Sequence, residues 1–138
     1  MEPRISIITL GVQDLAQAKN FYTQLGFIPA QNPSAEIVFF KNWGTCLALY
    51  PLHKLAEDIG ITQCAPGSGI TLAHNVREKS SVDTILQAAA AHGGKIVKPA
   101  QDAFWGGYSG YFSDPDGYYW EIAWGAFDIN LDGSLHIP

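Results

Sequence analysis

Cysteine is scarce in this chain, which has only Cys46 and Cys64 among its 138 residues. The two cysteines do not form a metal-spaced pair, and two are too few for a disulfide framework. Thiol use of this kind is typical of reducing compartments. We therefore expect reduced thiols and a cytoplasmic location.

Charge is also scarce, at 15% of the residues, and the net charge is -5. The eight lysines and arginines form no basic run, which argues against a nucleic-acid partner. No apolar run reaches the length of a membrane span, and the first ten residues lack the zones of a signal peptide. What remains is one globular domain, with 47% hydrophobic residues available for its core.

An internal repeat organises this domain. Its first copy begins with a predicted strand, "ISIITLGVQD", and continues as a helix that Asp14 and Gln17 start as a capping box. Gly26 ends the helix. The apolar stripe of this helix consists of Ala18, Phe21, Tyr22 and Leu25.

The same strand and helix recur 64 residues later. The strand "GITLAHNV" precedes a helix that Ser80 or Ser81 caps and that the segment "HGG" (92–94) ends. The apolar stripe of the second helix consists of Val82, Ile85, Leu86 and Ala89. The matching apolar faces and glycine-terminated ends of the two helices indicate an internal duplication.

Each copy also contains a predicted hairpin, and the two hairpins are 73 residues apart. The first, at 38–50, turns at 41–44, and the second, at 111–123, turns at 114–117. The second copy has nine extra residues between its helix and its hairpin, and they include the glycine-rich loop "WGGYSG" (105–110). Such loops often cover binding sites.

The repeat predicts an α+β fold with a strand, a helix and two or three further strands in each module. Module one covers about 4–52, a connecting segment 53–68, module two about 69–126, and residues 127–138 form a tail that folds back as an edge ribbon. Two such sheets can pair into a curved trough, with helices outside and a ligand cavity inside.

The segments "LGVQDLAQAKNFYTQLGF" (10–27) and "GYFSDPDGYYWEIAW" (110–124), with the repeat between them, resemble the vicinal oxygen chelate superfamily. That superfamily is the glyoxalase I, bleomycin-resistance and extradiol dioxygenase group. The resemblance extends to about Trp124. It implies paired βαβββ modules and a possible homodimer.

Enzymes of this superfamily hold a divalent metal with one residue from each of four strands. The resemblance puts these places at Ile7, Ala48, Thr71 and Glu121, and only Glu121 matches the family's ligands. Isoleucine and alanine do not bind cations, and a threonine hydroxyl is a poor ligand. We therefore expect no metal at this position and no cofactor.

Residues 104–124 hold nine of the 17 aromatic residues and a single glutamate, Glu121. If Glu121 faces the predicted cavity, the four-residue turn pairs it with Gly110 and puts Tyr108 and Phe112 on the same face. A carboxylate in such surroundings can act as a catalytic base. The other predicted ligand-binding residues are Thr9, Phe39, Thr71, Asn75, Trp105 and Tyr119.

His74 is three residues from Thr71, and this odd separation directs it to the opposite face of its strand. We interpret it as a histidine packed under the second helix with its ring nitrogens hydrogen-bonded. A β-bulge would instead bring it into the cavity.

Three functions fit these features. The first is a metal-free, glyoxalase-like protein that binds a small organic molecule and either sequesters it or acts on it with Glu121. The second is a metal-dependent lyase, isomerase or dioxygenase with an unusual ligand set. The third is a structural or regulatory dimer in which aromatic rings fill the trough as core.

Overall fold

The computed structural model describes residues 5–31, 34–63, 65, 69–125 and 127–137. Contacts divide the chain into two compact units, residues 1–66 and 67–138. The boundary falls within the predicted connecting segment. Cys46 is a half-buried free thiol, and Cys64 lies outside the described residues.

The first unit contains a three-stranded sheet in the order β1-β3-β2. Strand β3 lies between a parallel β1 and an antiparallel β2, so the predicted first hairpin is confirmed. The elements are β1 (Ile7–Val12), α1 (Leu15–Gln24), β2 (Val38–Phe40), β3 (Cys46–Pro51) and α2 (Leu52–Ile59).

Helix α1 confirms its sequence signals. The Asp14 side chain accepts a hydrogen bond of 2.9 Å from the Gln17 backbone N–H, which caps the helix. Ala18, Phe21 and Tyr22 are fully buried, and the Tyr22 ring lies 5.8 Å from that of Phe40 in β2. Helix α1 therefore covers the sheet face that carries Phe40.

The second unit contains a four-stranded sheet in the order β4-β7-β6-β5 and a two-stranded C-terminal ribbon. Strands β4 and β7 are parallel, with the helix of the unit between them in sequence, as for β1 and β3. The elements are β4 (Thr71–Val76), α3 (Ser80–Ala91), β5 (Lys95–Asp102), β6 (Tyr108–Ser113), β7 (Tyr119–Trp124), β8 (Asp128–Ile129) and β9 (Leu135–His136).

Helix α3 buries Val82, Leu86 and Ala89, which confirms three positions of the predicted stripe. The predicted cap is wrong. The N-cap residue is Lys79, without a side-chain capping hydrogen bond, and Ser80 already lies inside the helix. The backbone of Lys79 is itself helical, so the helix starts one residue before a serine could cap it.

The two units thus share a strand, a helix and an antiparallel hairpin, and the predicted α+β duplication is confirmed. They differ beside the hairpin. The second unit adds the long strand β5, whereas the corresponding part of the first unit forms one isolated bridge, Pro29 to Phe40. In the part of the chain that is described, no helix is long and apolar enough to cross a membrane.

Candidate functional site

The turn between β6 and β7 sets which side chains surround Glu121. Gly117 has a positive φ of 90°, and its N–H donates to the Asp114 carbonyl. The Asp114 N–H bonds the Tyr118 carbonyl at 2.9 Å, which leaves a loop of three residues, 115–117. The Asp114 carboxylate accepts N–H groups from Asp116 and Tyr118, which fixes this conformation.

A three-residue loop shifts the pairing by one position from the four-residue turn expected from the sequence. Glu121 pairs with Tyr111, and the predicted pairing with Gly110 is wrong. A shift of one residue exchanges the two faces of a strand. Tyr111 therefore lies beside Glu121, while Tyr108 and Phe112 lie on the opposite face.

Phe112 belongs to the core between sheet and helix. It is 2% exposed, and its ring stacks on that of Trp120 with centroids 6.2 Å apart. Gly110 lies on the same face, and a Cβ there would come within 2.6 Å of Leu86 in α3. Phe112 was predicted as a ligand-binding residue, and this packing contradicts a place beside Glu121.

Tyr108 ties the sheet to helix α3. Its hydroxyl donates to the carboxylate of Asp83, with oxygen distances of 3.1 and 3.4 Å. Desolvation, followed by the hydrogen bond to Asp83, raises the pKa of Tyr108. The Lys79 ammonium group lies 4.6 Å from the ring centre. These contacts are structural, and they too contradict the predicted position of Tyr108.

The glycine-rich loop is shorter than predicted, because β6 already begins at Tyr108. Trp105 remains in the loop and is 39% exposed. The Trp105 ring packs over Gly107, where an added Cβ would come within 1.7 Å of it. The loop is therefore held by its own aromatic side chain, and a role of Trp105 in binding stays a prediction.

The face that carries Glu121 is polar at its centre. The half-buried Tyr111 lies directly beside Glu121, its partner across the β6–β7 hairpin. Desolvation, and then the neighbouring Glu121 carboxylate, raise the pKa of Tyr111. The ammonium group of Lys98, from β5, lies 5.9 Å from the Tyr111 ring centre. Sequence reasoning missed Tyr111 because the predicted hairpin register was shifted, and it missed Lys98 because it assigned no residues to β5.

Three other predicted residues share this face, as the sequence indicated. Tyr119 precedes Glu121 by two positions in β7, and Thr71 pairs with Tyr119. Asn75 lies four positions further along β4 and is half-buried. Ala73 is the β4 neighbour of Glu121 and leaves room beside the carboxylate. Alternation along the strands therefore brings Thr71, Asn75, Tyr119 and Glu121 together.

The equivalent face of the first unit carries Thr9 and Phe39, both paired with Ala48. Ala48 is the repeat equivalent of Glu121 and is fully buried. Helix α2, which lies at the start of the predicted connecting segment, packs on this face. A Cβ on Gly11 would come within 2.5 Å of Leu52 in α2. Apart from the exposed Thr9, the residues named on this half of the predicted site are apolar, and α2 covers part of it.

The side chains at the four family metal positions do not fit a metal ion. Ile7 and Ala48 have no donor atoms, and Thr71 offers only a hydroxyl, which leaves Glu121 as a single good ligand. Within the described ranges, no three His, Cys, Asp or Glu side chains gather into a group that could hold a metal.

His74 lies on the helix-facing side of β4, paired with the buried Ile122, as predicted. Its predicted hydrogen bonds are not present: across the described residues, neither ring nitrogen has a partner. Burial by neighbouring atoms lowers the pKa of His74, although part of the residue stays accessible to solvent.

Comparisons with known proteins agree with this architecture. A family model described as the Glyoxalase/Bleomycin resistance protein/Dioxygenase superfamily matches residues 4–122. A glyoxalase-related enzyme from Fulvimarina pelagi is 35% identical, with 98% of each chain covered and a TM-score of 0.92.

More distant structures share the fold. A glyoxalase/bleomycin resistance protein/dioxygenase from Nocardioides is 25% identical over 90% of this chain and 84% of its own, with a TM-score of 0.73. A lactoylglutathione lyase from Agrobacterium tumefaciens is 23% identical over 91% and 96% of the two chains, with a TM-score of 0.68. No curated protein has a significant sequence match.

Proposed function

Because the chain belongs to the glyoxalase/bleomycin resistance protein/dioxygenase superfamily, we propose that it binds a small organic molecule beside Glu121 and Tyr111. The observation that carries the proposal is the position of these two side chains, which are cross-strand neighbours on one face of the sheet and interact electrostatically. The pair lies on the sheet face opposite α3, which also carries Thr71 and Tyr119, and Lys98 of β5 is the strand partner of Tyr111.

The pair offers one acceptor and one donor at neighbouring places. The raised pKa of Tyr111 keeps its hydroxyl protonated at neutral pH, so it can donate to a carbonyl or hydroxyl oxygen of a ligand. The Glu121 carboxylate then accepts a hydrogen bond or takes a proton from the ligand. The ligand that fits is a small carbonyl compound or alcohol.

Chemistry at this pair would consist of proton transfer. A carbon next to a carbonyl group loses a proton to Glu121 while Tyr111 stabilises the oxygen that gains negative charge. Return of the proton to another carbon gives an isomerisation. The 35% identity to a protein called a glyoxalase-related enzyme favours this catalytic version over sequestration alone. The proposal uses no metal, because the donor set at the family positions does not fit one.

The first experiment identifies the ligand and then removes each polar contact. Native mass spectrometry of the purified protein, followed by thermal-shift screening with small carbonyl compounds, supplies the probe. Glu121→Gln and Tyr111→Phe should each weaken its binding about tenfold, the scale of one hydrogen bond to a charged group. Glu57→Gln, on the exposed surface of α2, is the control and should bind normally.

Equal binding by all three variants would contradict the proposal. It would favour the reading in which the aromatic residues near Glu121 serve only as core. A tightly held metal that contacts Glu121 would instead support a metal-dependent enzyme. The homodimer and the cytoplasmic location stay predictions, and light scattering of the purified protein tests the first of them.

A further inference from the structure

A cleft lies within the second unit, and its lining includes neither Glu121 nor Tyr111. It has a volume of about 470 Å³, within the range of small-molecule sites. It runs along β4 between the start of α3 and the C-terminal ribbon. The lining residues are Ala73, His74, Asn75, Val76, Arg77, Ser81, Ile85, Ile129, Gly133 and Leu135.

The ribbon wall of this cleft is fixed in place. Arg77 donates from Nη1 to the Ile129 carbonyl at 2.8 Å and from Nη2 to the Asn130 carbonyl at 2.6 Å. The turn of the ribbon is closed by a hydrogen bond from Asn130 Nδ2 to Ser134 Oγ at 3.0 Å. Charge-assisted bonds to two successive carbonyls hold β8 against the end of β4.

The uncharged polar side chains that line the cleft on the α3 side have no hydrogen-bond partner in the described residues. Neither the imidazole of His74 nor the hydroxyl of Ser81 forms a side-chain hydrogen bond there. Burial lowers the pKa of His74, so its ring is neutral at physiological pH and offers one donor and one acceptor. Both side chains are accessible from the cleft, so a ligand that enters it can form hydrogen bonds with them.

The rest of the lining favours an organic anion. Val76, Ile85, Ile129 and Leu135 provide an aliphatic wall. Arg77 is the sole charged residue in the lining, and no carboxylate contributes to it. Ser81 lies in the first turn of α3, where the helix dipole also favours negative charge.

We propose that this cleft is a second ligand site, which takes a small carboxylate with an aliphatic or aromatic body. His74 and Ser81 donate hydrogen bonds to the carboxylate, and the guanidinium of Arg77 supplies the charge. The aliphatic wall holds the body of the ligand. The proposed carboxylate contacts are separate from the proposed function, because His74 and Glu121 lie on opposite faces of the sheet; of the lining, only Ala73 and Asn75 belong to the Glu121 face.

The test uses the full chain, labelled with ¹⁵N, and 4-phenylbutyrate as the probe. Its amide signals at 74–77, at Ser81 and at 133–135 should shift on titration, while those around Tyr111 and Glu121 should not. The uncharged 4-phenylbutanamide should bind about tenfold more weakly, the scale of one hydrogen bond to a charged group. His74→Ala and Ser81→Ala should each weaken phenylbutyrate binding to a similar extent.

His92→Ala, at the exposed end of α3, is the matched control and should bind normally. If His74→Ala does not fold, Ser81→Ala alone decides, because Ser81 contributes little to the core. Shifts confined to the Glu121 face, or no shifts, would overturn the proposal. Equal affinity for the acid and the amide, or for Ser81→Ala and the native chain, would overturn the anion contact.

Discussion

Gly110 tests the register of the hairpin, because it lies where β6 meets both α3 and an irregular part of β5. A Cβ at this position would be 2.6 Å from Leu86 Cδ1 and 2.9 Å from both the Ala100 nitrogen and the Lys98 oxygen. The leucine tip can rotate, but the two backbone atoms can move only with the strand. Gly110→Ala should therefore strain the second unit.

The size of the effect follows from two opposing terms. Overpacking of a tight interior costs about 1–3 kcal/mol, and backbone clashes favour the upper end. Alanine also reduces the conformational entropy of the unfolded chain, which stabilises the folded state by about 0.4–1 kcal/mol and offsets part of this cost. We expect the free energy of unfolding to fall by about 2 kcal/mol, measured by urea unfolding with tryptophan fluorescence. The buried Trp120 makes this signal sensitive to the second unit.

Gly11→Ala is the control. Its Cβ would be 2.5 Å from Leu52 Cδ1 and 3.0 Å from Leu55 Cδ2, both of which are ends of flexible side chains. Repacking these ends offsets most of the clash, and the loss should stay below about 1 kcal/mol. A Gly110→Ala protein within about half a kcal/mol of the native one would refute the register, and it would return Phe112 to the Glu121 face.

Four further results are expected. Phe21→Ala should lower the free energy of unfolding, measured in urea, by about 3–5 kcal/mol because the ring is buried. Gln24→Ala, at an exposed position of the same helix, should change it little. If Phe21→Ala lowers the free energy of unfolding by less than about half a kcal/mol, the ring lies outside the core. In a phenolate absorbance titration, Glu121→Gln should reverse part of the rise in the pKa of Tyr111, and an unchanged curve would exclude an interaction between the two side chains. Burial lowers the pKa of His74 in the folded chain, so the unfolded chain binds more protons once the pH falls below about 6.5. The melting temperature should therefore decrease as the pH is lowered through this range. The same pH dependence in His74→Gln would exclude His74 as its source. A chelator should leave the melting temperature unchanged, and a drop would indicate a bound metal.

The sequence predicted best where a local signal and a periodic stripe agree. The Asp14 cap and the buried Phe21 and Tyr22 determine α1 almost alone. Helix α2 was missed, although Leu52, Leu55, Ala56 and Ile59 have helical spacing. Pro51 precedes it and provides no side-chain cap, so no start signal marked the helix.

The candidate site was half predictable. Strand alternation grouped Thr71, Asn75, Tyr119 and Glu121, but the turn count put Tyr111 on the wrong face. The signal was present, since proline, aspartate and glycine after Asp114 are typical of a type I turn followed by a left-handed glycine. The contacts of Arg77 with carbonyls more than 50 positions away have no local signal.

The burial of Ala48 has a consequence for how this duplicated protein can change. A glutamate at this position, the counterpart of Glu121, would enter a fully enclosed apolar place beside α2 without a prepared partner. Burying such a charge is costly, so a single codon change would cost stability before it could give a second acidic centre. The difference between the two copies at this position is therefore difficult to reverse. New activities can arise more readily by substitutions around Glu121 than by adding a matching acidic residue at position 48.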